Sequence, residues 1–194
     1  MTEIRFAQHA PADFFRVVAG EIAPGGIPIT RLAERVGRTP FYVYDRAALT
    51  ARVQALRAAL PAALHLHYAI KANPMPAVVQ HLAGLTDGLD VASAQEMMVA
   101  LDTGMAPEHI SFAGPGKTAA EIRRAVAAGI TMTAESEAQL DLALQAGTAL
   151  GIEPSIALRV NPAFELKAAG MKMGGGPKPF GIDEAKLPAL LDRM

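Results

Sequence analysis

One pattern recurs from residue 64 onward and limits the folds open to this chain: a short apolar run, a polar residue suited to capping, then an amphipathic helical segment. Apolar runs at 64–70, 89–92, 110–113, 130–133 and 156–160 predict five strands, and helical segments at 76–83, 94–103, 119–128 and 137–150 follow the first four. Three of those helices open on a capping-box string directly after a strand: Ser93-Ala-Gln-Glu96, Thr118-Ala-Ala-Glu121 and Ser136-Glu-Ala-Gln139. One such string is weak evidence, but three at the same place in the repeat mark helix starts. Strands alternating with helices predict right-handed βαβ units and a parallel sheet.

Alternation within the strands selects among parallel folds. Leu64, Leu66, Tyr68 and Ile70 share one face, and His65, His67, Ala69 and Lys71 share the other. Likewise Leu89 and Val91 oppose Asp90 and Ala92; Ile110 and Phe112 oppose Ser111 and Ala113. Ile130 and Met132 oppose Thr131, Thr133 and Glu135; Ile156, Leu158 and Val160 oppose Ala157, Arg159 and Asn161. A doubly wound sheet covered on both sides demands two apolar faces. One apolar face and one small or polar face, with charges near the C-terminal strand ends, matches an α/β barrel whose site lies at its top. Lys71, Asp90, Glu135 and Arg159 are predicted to converge there. A complete barrel takes roughly 250 residues, and the chain has 194. The expectation is the N-terminal part of a (β/α)8 TIM-like barrel, about five strands of it, incomplete in this chain.

Residues 1–45 read as a lead-in and 46–194 as the partial barrel. Helices are expected at 13–22 and 30–36, the second closed by Gly37, and an aromatic, β-branched strand at 41–44. Asp45 suits the N-cap of a helix whose Leu49, Val53, Leu56 and Leu60 form one face and which Pro61 ends. A last helix is expected over 181–194.

Composition removes whole classes of function. Lys and Arg total 18 against 19 Asp and Glu, with no basic run, which argues against a nucleic-acid surface. Without a single Cys there is no disulfide framework, thiolate metal site or cysteine nucleophile. The five His residues lack metal-ligand spacing, and no metal site is expected. No apolar run approaches the ~18 residues of a membrane span, and the N-terminus does not resemble a secretory signal, so the expected location is the cytoplasm.

Lys71 stands at the end of an apolar strand in HYAIKANP. It either pairs with an acid such as Asp90 or is a desolvated amine poised for Schiff-base chemistry. Gly114-Pro-Gly-Lys-Thr118 looks like the tail of a phosphate loop, but Ser111 stands where that pattern needs its first Gly. It reads as a strand-to-helix turn ending in an N-cap. Gly174-Gly-Gly176 reads as a loop without a supporting helix N-terminus. His65 and His67 read as polar fill, and Met97, Met98, Met171 and Met173 as packing.

At HYAIKAN (67–73) the chain resembles the barrel domain of fold-type III pyridoxal-phosphate enzymes, the ornithine/diaminopimelate/arginine decarboxylase family. TPFYVYD (39–45), GLDVASAQEM (88–97), ISFAGPGKT (110–118), ESEAQL (135–140), ALRVNP (157–162) and PFGID (179–183) carry the resemblance in order over about residues 25–194. FELKAAGMKMGGGPKPFGID (164–183) is similar to the subfamily associated with bacterial exosortase A (PEP-CTERM) systems, and to a decarboxylase of aminoglycoside side-chain assembly.

The resemblance implies pyridoxal 5'-phosphate as cofactor, Lys71 as its covalent attachment point and the catalytic lysine, and Asp90 and Arg159 as cofactor-binding residues. It implies the N-terminal part of an amino-acid decarboxylase, inactive alone because the family's phosphate loop, ring-stacking histidine and C-terminal β-domain lie beyond the segments matched. The implied substrate is a small amino acid or a carrier-bound aminoacyl group, and the implied full-length form is a homodimer, with neither nucleic acid nor membrane as partner. Two alternatives stay open at this point: part of an amino-acid racemase with the same cofactor, and a non-catalytic pyridoxal-phosphate-binding or interaction protein.

Overall fold

The computed structural model describes residues 14–162 and 180–194. The chain forms two compact units, Met1–Pro61 and Ala62–Met194.

In the first unit, β1 (Arg16–Val18) and β2 (Glu21–Ala23) form an antiparallel hairpin. This corrects the helix expected at 13–22. Ala19 (φ 51°) and Gly20 (φ 83°) both take positive φ, the geometry of a two-residue hairpin turn. Alanine gives little warning of such a turn, so the short segments on either side are open to a helical reading. Helix α1 (Ile29–Val36) ends at Gly37 as expected. Residues 41–44 are not a strand. They have no ladder partner among the described residues, and Tyr42 is 91% exposed. Helix α2 (Arg46–Ala59) starts where Asp45 accepts from the amides of Ala47 and Ala48. The same carboxylate accepts from Gly25 N at 2.8 Å, which leads the interactions holding the Asp45 pKa below its usual value.

The second unit is built on five parallel strands in chain order: β3 (His67–Ala69), β4 (Gly88–Val91), β5 (Ile110–Phe112), β6 (Thr131–Ala134) and β7 (Ile156–Leu158). The connecting helices are α3 (Pro76–Ala83), α4 (Ala94–Leu101), α5 (Ala119–Ala127) and α6 (Glu137–Leu150). The order and direction match expectation, but the strands are shorter. Residues 64–66 precede the β3 ladder and Ile70 opens a 3-10 turn, Ile70–Ala72. The run at 156–160 breaks at Arg159: β8 (Val160–Asn161) leaves the main sheet and pairs in parallel with β9 (Ile182–Asp183). The expected helix at 181–194 is therefore β9, a 3-10 turn and the short α7 (Leu187–Leu191). The run Gly174–Gly176, with Met171 and Met173, lies outside the described residues.

The strand faces divide as their alternation predicts. Leu89, Val91, Ile110, Phe112 and Met132 are almost fully buried against the helices, each worth roughly 1.5–3 kcal/mol. Met97 joins this core while Met98 is exposed. All three expected boxes cap their helices, but only Thr118 and Glu121 form the reciprocal pair. Ser93 Oγ and Ser136 Oγ accept from the Glu96 and Gln139 amides, while those side chains reach one residue further back, to Ala92 N and Glu135 N. The ends of β4 and β6 are thereby hydrogen-bonded to the helices that follow them.

Candidate active site

The parallel register puts Ala69, Asp90 and Ser111 in one row across β3, β4 and β5, on the face away from the core. Two residues beyond Ala69, the 3-10 turn sends Ile70 into the core, fully buried, and Lys71 to the opposite side. Lys71, Asp90, Ser111 and Arg159 line one cavity of about 460 Å³, with Gly114, Lys117 and Phe180. That volume lies within the range of small-molecule sites. The polar faces of the strands thus converge near their C-terminal ends.

Asp90 Oδ1 accepts from Ser111 Oγ at 2.7 Å and lies 3.1 Å from His67 Nδ1. The Lys71–Asp90 ion pair is absent. Among the described residues Lys71 has no hydrogen-bond or salt-bridge partner, and it is exposed rather than buried. His67 also packs against Gly88: a Cβ there would come within 2.5 Å of the imidazole and of His109 O. The glycine leaves the ring room to reach Asp90.

Arg159 is fixed through both backbone and side chain. Its N–H donates to Ala134 O at 2.9 Å, and its carbonyl accepts from Ile182 N at 2.7 Å, joining the main sheet to β9. Its Nη1 donates to both Glu135 oxygens at 3.2 Å, and the guanidinium lies 5.0 Å from the Phe180 ring centre. The Glu135 side chain is fully buried while that of Arg159 is 30% exposed. Glu135 Oε1 also accepts from Gly114 N at 2.5 Å. Glu135 therefore joins the predicted convergence from beneath, as the counter-charge of Arg159.

Sequence reasoning missed Lys117. Thr118 is the N-cap, as read, but the lysine before it is 9% exposed and donates to Gly114 O, Thr133 O and Gln139 Oε1. Burial pulls its pKa down from 10.5 to about 8, with Glu135 partly opposing the shift. The available signal was a cation in a glycine turn directly after a buried strand. Glu121 was read only as a box residue, yet it accepts from Thr118 and from Ala94 N, tying the starts of α4 and α5 together. The Thr118 amide and hydroxyl lead the interactions that hold its pKa down.

The family model for the pyridoxal binding domain of pyridoxal-dependent decarboxylases matches residues 46–194. The chain is 34% identical over 167 residues to the L-glutamyl acyl-carrier protein decarboxylase of Niallia circulans, covering 86% of this chain and 39% of that protein. It is 39% identical over 170 residues to diaminopimelate decarboxylase of Aquifex aeolicus, covering 84% of this chain and 39% of that one. The crystal structure of diaminopimelate decarboxylase from M. jannaschi superposes with a TM-score of 0.78 at 26% identity, over 93% of this chain and 45% of that one. The chain thus spans about two fifths of the length of the curated relatives it matches, and its parallel sheet is an arc of their α/β barrel. With the family model covering most of its length and the barrel face carrying a lysine-bearing cavity, the chain belongs to the pyridoxal-dependent decarboxylases.

Proposed function

We propose that this chain carries the cofactor-lysine part of a pyridoxal-phosphate-dependent amino-acid decarboxylase. The observation that supports it most directly is Lys71, an amine without a partner among the described residues, at a parallel strand end in a cavity walled by Asp90, Ser111 and Arg159. The donor set fits the aldehyde end of the cofactor: a primary amine without a partner among the described residues, in one cavity with a carboxylate and a guanidinium already held in place. When bound, pyridoxal phosphate supplies the electron sink that lets carbon dioxide leave an amino acid.

The side chains of this chain do the rest. Lys71 is the attachment point, and on release its amine is free to carry a proton in the cavity. Asp90, with Oδ1 committed to Ser111 and His67, keeps a fixed negative charge near it. Arg159, balanced by Glu135, contributes a fixed cation on the other wall. Fixed charges of this kind need no reorganisation as charge moves during the reaction. The substrate is a small amino acid or an aminoacyl group on a carrier protein, the two classes named in the relatives' activities. The working form is a cytoplasmic homodimer of the full-length enzyme, a reading supported by family resemblance. Among the described residues, no helix is long and apolar enough to cross a membrane.

Borohydride reduction in the presence of pyridoxal phosphate tests the lysine assignment. The chain should acquire one stable secondary-amine adduct that peptide mapping places on Lys71, and Lys71→Ala should lose it. An adduct on Lys117 or Lys172 in its place overturns the assignment.

A further inference from the structure

Lys117 is a buried cation that the proposed chemistry leaves without a task. Its three ammonium protons go to Gly114 O at 2.6 Å, Thr133 O at 2.7 Å and Gln139 Oε1 at 3.1 Å. All three acceptors are neutral, and they belong to three segments: the turn after β5, the end of β6 and the first turn of α6. A lysine is the side chain that brings three donors to one point.

These three segments surround Glu135. Gly114 N donates to its Oε1, and Gln139 Oε1, which accepts from Lys117, also accepts from Glu135 N. Thr133 precedes it by two residues on β6. Gln139 Nε2 adds bonds to Gly114 O and Pro115 O, closing the network. Glu135 then holds the Arg159 guanidinium with both oxygens.

We propose that Lys117 is a positioning residue: it fixes the Gly114–Gly116 turn and, through Glu135, the Arg159 guanidinium on the cavity wall. Only the consequence for cofactor binding rests on the proposed reading of the cavity. Replacing the ammonium by an apolar chain leaves two carbonyls and an amide oxygen short of a donor, and the turn relaxes toward other partners. The Gly114 amide then loses its short bond to Glu135, and Arg159 loses its fixed counter-ion.

Nitrogen-15 NMR of the labelled 194-residue chain, with pyridoxal phosphate titration, tests this. In Lys117→Met the Gly114 amide proton should move upfield and the Arg159 side-chain resonances should shift, while the amides of α3 and α4 stay in place. The Kd for pyridoxal phosphate should rise about tenfold, as for loss of one charged hydrogen bond. Leu82→Ala, which opens a cavity under α3 away from this network, should leave Gly114 and Arg159 unmoved. If Lys117→Met does not fold, Gln139→Leu carries the test, with the same shifts at smaller amplitude. Unmoved Gly114 and Arg159 resonances in the folded variant overturn the proposal, as does an equal movement in Leu82→Ala. Shifted resonances with an unchanged Kd uphold the positioning role and overturn the cofactor reading of the cavity.

Discussion

Asp90 and Lys71 line one cavity without pairing: Asp90 Oδ1 is engaged by Ser111 Oγ and His67 Nδ1, and the lysine amine has no partner among the described residues. An ion pair would have tied up the amine and lowered its reactivity as a nucleophile. Parallel register decides the outcome. Ser111 lies directly across from Asp90 on β5, and His67 leans over Gly88 from β3, so both reach the carboxylate from adjoining strands.

The Arg159–Glu135 pair should respond unequally to removal of either partner. Arg159→Met leaves a fully buried carboxylate with, among the described residues, the Gly114 amide as its remaining hydrogen-bond donor. The expected loss is about 2–3 kcal/mol, discounted because the arginine side is partly solvated. Glu135→Gln keeps an acceptor in place and leaves a guanidinium that reaches water, so about 1 kcal/mol is expected. Urea unfolding of both variants measures the difference. Equal losses would show that the burial asymmetry carries no energetic weight.

Gly88→Ala should destabilise the sheet by roughly 2–3 kcal/mol. The added Cβ meets His109 O at 2.5 Å and the His67 ring at the same distance. An imidazole can swing away, but a backbone carbonyl beside β5 cannot. Adding His67→Ala should therefore recover little of the lost stability. Full recovery by the double variant would show that the ring alone fills the space.

Lys117 sets a pH dependence whose sign is fixed by the direction of its shift. Its folded pKa of about 8 lies below the unfolded 10.5, so between those values the unfolded chain binds more protons. The burial penalty applies in full below pH 8 and is progressively relieved as the pH rises toward 10.5. Stability of the wild-type chain relative to Lys117→Met should therefore rise with pH across that window. Glu135, Arg159 and Glu121 are the charges acting on the amine. Thermal melts of both chains at pH 7 and 10 supply the comparison, and a difference that stays flat or falls with pH would contradict the assigned shift.

The sequence by itself determined the repeating unit and the face that lines the cavity. Helices at 76–83 and 137–150 were readable to the residue, because Pro76 and Ser136 start them and local chemistry suffices. Strand polarity was equally legible, since side chains alternate with period two whatever the partner strand. Lys71, Asp90, Glu135 and Arg159 followed from that alternation. Tertiary structure alone decided the rest. Whether 41–44 is a strand depends on a partner elsewhere in the chain, and the break at Arg159 depends on β9 competing for Val160 and Asn161. The partners of Asp90 and the burial of Lys117 depend on groups 16 to 23 residues away in sequence. Helix caps and strand faces are local, so they are written in neighbouring residues. Hydrogen-bond partners across parallel strands are not, and only the folded register brings them together.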